Sequence, residues 1–102
     1  MSVEQTIIAK VNAEFAPLFL QVENESHRHS SGRGAESHFK VTLVSAKFDG
    51  VRTLARHRAI YALLADELAN GLHALALHTY TPDEWQQNGE IVPKSTNCVG
   101  GH

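Results

Sequence analysis

Three of the seven histidines in this 102-residue chain, His27, His29 and His38, fall within NESHRHSSGRGAESHF, residues 24–39, among Arg28, Arg33, Gly32 and Gly34. Imidazole ligates metals and changes charge near neutral pH, so histidines concentrated on a flexible, basic connection raise both possibilities. A fourth, His73, follows Gly71 in GLHALALHTY, where a strand should begin, and shares a strand face with Leu75 and Leu77. There it is expected to be part buried and held by the backbone. Taken alone, His73 reads as a structural histidine, and a ligand role requires a loop histidine converging on it. His78, of opposite parity and near Tyr80, reads as structural. Two neutral imidazoles do not close a zinc site, which takes four protein ligands. They can complete a metal or cluster whose other ligands are thiolates from a partner, as two histidines replace two cysteines in Rieske-type centres. No zinc-finger, HExxH or CxxC spacing is present.

A second constellation is RTLARHRAIY, with Arg52, Arg56, His57 and Arg58 around a helix start. Cations there oppose the helix dipole, so their placement needs another reason. Anion binding supplies one, because free N–H groups and arginines together suit phosphates, and Lys40 and Lys47 extend the patch. The alternative is that Arg56 and Arg58 pair with surface carboxylates such as Glu36 or Asp49. With no aromatic stacking set, specific base readout is not visible. Catalysis finds no support: there is no GxSxG, no Walker loop, and no nucleophilic cysteine in an ordered element. Asp66/Glu67 and Asp83/Glu84 fit a helix face and a helix N-terminus.

The elements that must hold these residues follow from local patterns. Ser2 and Gln5 form a capping-box pattern ahead of the stripe Val3, Ile7, Ile8, Val11 and Phe15, predicting a helix over 3–15 that ends before Pro17. Residues 18–23 and 39–44 alternate as two half-buried strands, an antiparallel pair. The long connection between them argues for a functional loop over a simple reversal. After the FDG turn, a helix is predicted over 53–70, with Leu54, Ile60, Tyr61, Leu64 and Leu68 inward and Gly71 as its stop. Residues 72–80 read as a strand covered on both faces. Thr81, Pro82 and Glu84 mark the start of a short last helix that carries Trp85 onto the sheet.

The resulting order is helix-strand-strand-helix-strand-helix. A strand, crossover helix and strand in one sheet make a parallel unit, so the second and third strands should be parallel. The expected fold is α+β, a three-stranded mixed sheet with helices mainly on one face. Length and 42% hydrophobic content support one domain, residues 1–88, followed by a flexible tail, 89–102. No apolar run reaches the roughly 20 residues of a membrane span, and the first ten residues lack the features of a signal peptide. A cytoplasmic protein is expected, consistent with its one cysteine, Cys98, a plain tail thiol. The charge is polarised. Seven of the nine Lys and Arg residues but two of the eleven carboxylates lie between Arg28 and Arg58, so a net −2 divides into +5 there and −7 elsewhere. Such polarisation can gather an anionic partner on one side.

ESHFKV at 36–41, F-x-G at 48–50, RHR at 56–58 and HALALHTYTPDEW at 73–85 resemble the bacterial BolA proteins, and the similarity runs from the first helix to the NCVGG tail. The resemblance implies a class II KH-like fold and no enzymatic activity. It implies two roles: DNA-binding transcriptional regulation of stress response, cell shape and biofilm formation, and pairing with a monothiol glutaredoxin. In the pairing, a 2Fe-2S cluster is shared with glutathione's help, or a cluster-free heterodimer forms. By the same resemblance, His73 is a cluster ligand. The loop ligand falls on His29 of Glu25-Ser26-His27-Arg28-His29, with His27 and His38 close enough to substitute. A histidine in the loop, not a cysteine, places the chain with the histidine-type subgroup. The DNA surface carries over to the RHR helix start and nearby turn, that is Lys47, Arg52, Arg56, His57 and Arg58.

Overall fold

The computed structural model describes residues 2–25 and 38–93; His27 and His29 lie outside the described residues. Helix α1 (Val3–Phe15) begins with the expected capping box: Gln5 N donates to Ser2 Oγ, and Ser2 N donates to Gln5 Oε1, each at 3.1 Å. Ile7, Val11 and Phe15 form its buried stripe. Strand β1 (Phe19–Asn24) pairs antiparallel with β2 (His38–Val44), in the register Leu20 to Leu43 and Val22 to Val41. The crossover from β2 runs through a short 3₁₀ turn (Ala46–Phe48), α2 (Thr53–Leu63) and α3 (Ala65–Ala69) to β3 (Ala74–Tyr80), which pairs parallel with β2. Helix α4 (Pro82–Gln87) follows. The class II KH-like description is compatible with this α+β order.

One sheet face carries Phe39, Val41, Leu43 and Leu75 into a core with α1, Phe48, Ile60, Leu64 and Leu72. On the other, Trp85 stacks on Phe19 at 5.0 Å between ring centroids and meets Tyr80 at 5.2 Å. The buried Lys40 pairs with Glu23 at 3.1 Å and donates to the carbonyl of Pro93, so the start of the expected tail is held against the sheet. Residues 94–102 lie outside the described residues.

Three expectations are corrected. The strand covered on both faces is β2, which takes the middle of the order β1-β2-β3; β3 is an edge strand, with Ala74 and Ala76 exposed and Leu75 buried. Alternating Ala and Leu looked apolar on both sides, but the small residues occupy the open face. The helix expected over 53–70 is interrupted at Leu64, which sits at φ −101°, ψ 21°. Hydrogen bonds from Leu64 N to Ile60 O and from Leu68 N to Leu64 O carry the chain through the bend. Finally, Leu54 is not inward but 62% exposed, Tyr61 is 40% exposed and reaches the sheet only with its hydroxyl, which donates to Leu75 O at 2.9 Å, and the position one turn before Ile60 is filled by Arg56. Residues four apart share a helix face, so Arg56, Ile60 and Leu64 form the buried stripe.

Helix α4 depends on its cap. Glu84 N donates to Thr81 Oγ1 at 3.1 Å, and Thr81 N donates to Glu84 Oε1 at 2.9 Å. Thr81→Ala is expected to cost about 1 kcal/mol. A urea midpoint equal to that of the parent would refute this.

A candidate anion interface and a histidine pair at opposite ends of the sheet

The segment SAKFDGVR builds the approach to α2. Ser45 Oγ donates to Phe15 O at 2.7 Å and accepts from Lys47 N at 3.1 Å, which starts the 3₁₀ turn. Val51 N then donates to Phe48 O at 2.9 Å across Asp49, at φ −57°, ψ 127°, and Gly50, at φ 76°. This is a type II turn, whose third position needs a positive φ and therefore glycine. Arg52 follows as the extended N-cap residue of α2, and no side chain caps the helix. The first N–H groups of α2 thus keep their donor capacity at the positive end of the helix dipole. They border an open groove of about 540 Å³ between Asp49–Thr53 and Thr81/Glu84, with Arg56 between the two sides.

The five residues expected at a nucleic-acid surface divide by placement. Arg52 and Arg58 are exposed, and no ion pair among the described residues engages them. Lys47 is exposed with its Nζ donating to Glu14 O at 2.9 Å, which ties its ammonium group to the end of α1. His57 is half-buried, and burial, followed by the charge of Arg56, lowers its pKa below the ordinary imidazole value, which favours the uncharged ring. Arg56 turns inward. It is 5% exposed and gives its guanidinium to Glu84, at 2.7 and 3.2 Å, and to backbone carbonyls. The partner is neither Glu36 nor Asp49 but Glu84, another surface carboxylate, so for Arg56 the ion-pair alternative holds, with a residue whose sequence context marks it as a helix cap. The signal lay in the helix period, since Arg56 precedes Ile60 by four.

Acid should loosen this region. Glu84 is held below the usual carboxylate range by hydrogen bonds from Arg56 first and the Thr81 backbone second. His78 is lowered by burial first, then by the charges of Lys40 and His57, against a weaker opposing pull from Glu25. In each case the unfolded chain binds the proton more readily, so stability falls as pH drops. Unfolding midpoints are expected to decline below about pH 6.5 as the unfolded imidazoles charge, and again below about pH 4.5 as the unfolded Glu84 protonates. A His78→Gln chain with the same slope between pH 7 and 5 as the parent would remove His78 from this account.

At the opposite end of the sheet, His38 is the first residue of β2, half-buried, and pairs in register with Ala74. Its ring lies edge-on to that of His73, with centroids 6.3 Å apart and planes at 74°. His73 itself is exposed and immediately precedes β3, which corrects the part-buried placement. Among the three clustered histidines, His38 therefore belongs to a strand and meets His73. Among the described residues, no group of three or more His, Cys, Asp or Glu is arranged for a metal ion. The donor set here is two imidazoles, which fits a shared centre completed by another molecule and not a closed site. Because β2 and β3 are parallel, His38 and His73 share one end of the sheet, and β2, seven residues long and so roughly 20 Å over six steps of about 3.3 Å, separates that end from the one that leads to α2. No helix among the described residues is long and apolar enough to cross a membrane.

A sequence model for the family described as BolA-like protein matches residues 11–84. The DNA-binding transcriptional regulator BolA of Haemophilus influenzae is 54% identical over 100 residues, covering 98% of this chain and 97% of that protein. BolA-like protein 1 of Homo sapiens is 40% identical over 100 residues, covering 98% and 72%. Among solved structures, the BolA domain of SufE1 from Arabidopsis thaliana superposes with a TM-score of 0.76 at 43% identity, covering 82% of this chain and 96% of that one.

Proposed function

The chain belongs to the BolA-like family, and from that membership we propose that it is a DNA-binding transcriptional regulator with no catalytic activity of its own. The observation that carries the reading is the uncapped α2 N-terminus, set by the type II turn and led by the exposed Arg52, with the exposed Arg58 further along the same helix. Backbone N–H groups at a helix start and arginine forks both suit phosphate oxygens. The relative named a DNA-binding regulator is 54% identical over nearly the whole chain. Contacts of this kind position a protein on the duplex and carry no base information. Arg52→Ala and Arg58→Ala are each expected to weaken binding to all duplexes and to lower the slope of log affinity against log salt by about 0.9. Titration of a fluorescent duplex across a salt series reads both effects. Unchanged affinity and slope in both variants would refute the reading.

The His38–His73 pair favours a second role at the other end of the sheet. In this reading the chain partners a monothiol glutaredoxin and lends imidazole ligands to a 2Fe-2S cluster held with glutathione. His73 is one ligand, and the other comes from His29, His27 or His38. A bound cluster would supply an electron-accepting iron–sulfur centre, whose potential depends on charge and hydrogen bonding around it. The chain's part is to present imidazoles at an exposed strand end, where a partner's thiolates can reach the same centre. Separation along β2 leaves both roles available to one molecule. Anaerobic reconstitution with a monothiol glutaredoxin and glutathione, read by visible circular dichroism, tests it.

A further inference from the structure

Arg56 is the one arginine of the RHR stretch that points away from solvent. Its Nε donates to Val51 O at 2.7 Å and its Nη2 to Phe48 O at 3.4 Å, the first and last carbonyls of the turn that leads into α2. Its Nη1 reaches Thr79 O, at the end of β3, at 3.3 Å. Both terminal nitrogens meet Glu84, whose Oε1 also accepts from Thr81 N at 2.9 Å and so is fixed to the start of α4. The guanidinium carbon stands 5.4 Å from the Phe48 ring centroid. One planar group thus ties the turn, the strand end and α4 together. An ion pair serving surface charge balance alone would have no reason to bury its cation or aim it at turn carbonyls, and a lysine lacks the rigid fork that serves all of them at once.

We propose that Arg56 is a positioning residue for the phosphate site: without touching DNA, it holds the turn at 48–51 so that Arg52 and the uncapped α2 N–H groups face the same phosphate, and Glu84 holds Arg56 in place. The inference rests on the DNA reading above and adds to it a control that runs from α4. A site fixed before binding loses less freedom when the ligand arrives, and this contributes to affinity without a new contact.

Arg56→Gln and Glu84→Gln in the full chain are compared with Arg52→Ala on a fluorescent duplex across a salt series. Both glutamine variants are expected to raise Kd about 3–10-fold, the loss that accompanies ordering one or two side chains on binding. Their salt slopes stay at the parent value, whereas that of Arg52→Ala falls by about 0.9. The Glu84 variant is the sharper test, because removing a carboxylate beside an anion site by charge alone tightens binding, and the positioning role requires it to weaken. A slope drop of the Arg52 size in Arg56→Gln would make Arg56 a phosphate contact and overturn the proposal. Parent affinity in folded Arg56→Gln, or equal or tighter binding by Glu84→Gln, overturns it too. If Arg56→Gln shows no cooperative thermal transition, Glu84→Gln decides alone, since it keeps the arginine and its carbonyl bonds. If Arg52→Ala and Arg58→Ala both match the parent, the DNA reading itself has failed, which is a different result from failure of the glutamine pair alone.

Discussion

His73→Ala, reconstituted anaerobically with a monothiol glutaredoxin and glutathione, is expected to give the visible circular dichroism of the glutaredoxin alone, and the parent chain is expected to give a distinct histidine-ligated spectrum. The loss should be complete, because a missing imidazole leaves an iron without its ligand and a methyl group offers no substitute. The fold should not follow it: His73 is exposed and outside β3, and surface substitutions away from special features change stability by about 0.5 kcal/mol or less. The same measurement on His27→Ala, His29→Ala and His38→Ala separates the loop ligands. If His38→Ala alone repeats the loss, the pair at 6.3 Å is the ligand set. If His29→Ala does, His38 is a neighbour that orients His73. A parent spectrum equal to that of glutaredoxin alone, or one that survives His73→Ala, sinks the cluster role.

Phe39→Ala is expected to destabilise the fold by about 3–5 kcal/mol. Phe39 is 2% exposed on the central strand, opposite Asn24 on one side and Leu75 on the other, and its ring fills the core between the sheet and helices. Against total stabilities of about 5–15 kcal/mol, such a loss is a large fraction of the whole. With about 4–8 °C per kcal/mol for a domain of this size, the thermal midpoint should fall by at least roughly 12 °C. Leu54→Ala provides the contrast, since a side chain 62% exposed at the start of α2 should change the midpoint little. Equal losses from the two variants would put Leu54 back on the inward face and contradict the stripe through Arg56.

The two variants also mark how far local pattern reaches. Leu54, a leucine near the start of an amphipathic helix, suggests core, and Arg56, being charged, suggests surface. At both positions residue type and helical phase point in opposite directions. The period of Ile60 and Leu64 contained the correct answer, but an arginine enters a buried stripe only when something there takes its charge. The carboxylate that does so is Glu84, 28 residues away.

What the sequence determined by itself is local. The box of Ser2 with Gln5, that of Thr81 with Glu84 and the turn glycine at Gly50 each satisfy backbone requirements within a few residues, and the strand pair β1 and β2 is legible too, although β2 is buried on both faces and not half-buried. The parallel pairing of β2 with β3 followed from the crossover between them, a rule of connection that needs only element order. Motif resemblance added the family. The tertiary structure alone decided which strand is central, which way Arg56 faces, and that His38 stands beside His73. Each of these depends on groups far apart in the chain competing for the same buried volume, charge or strand neighbour, and that competition is settled only when the whole core has packed.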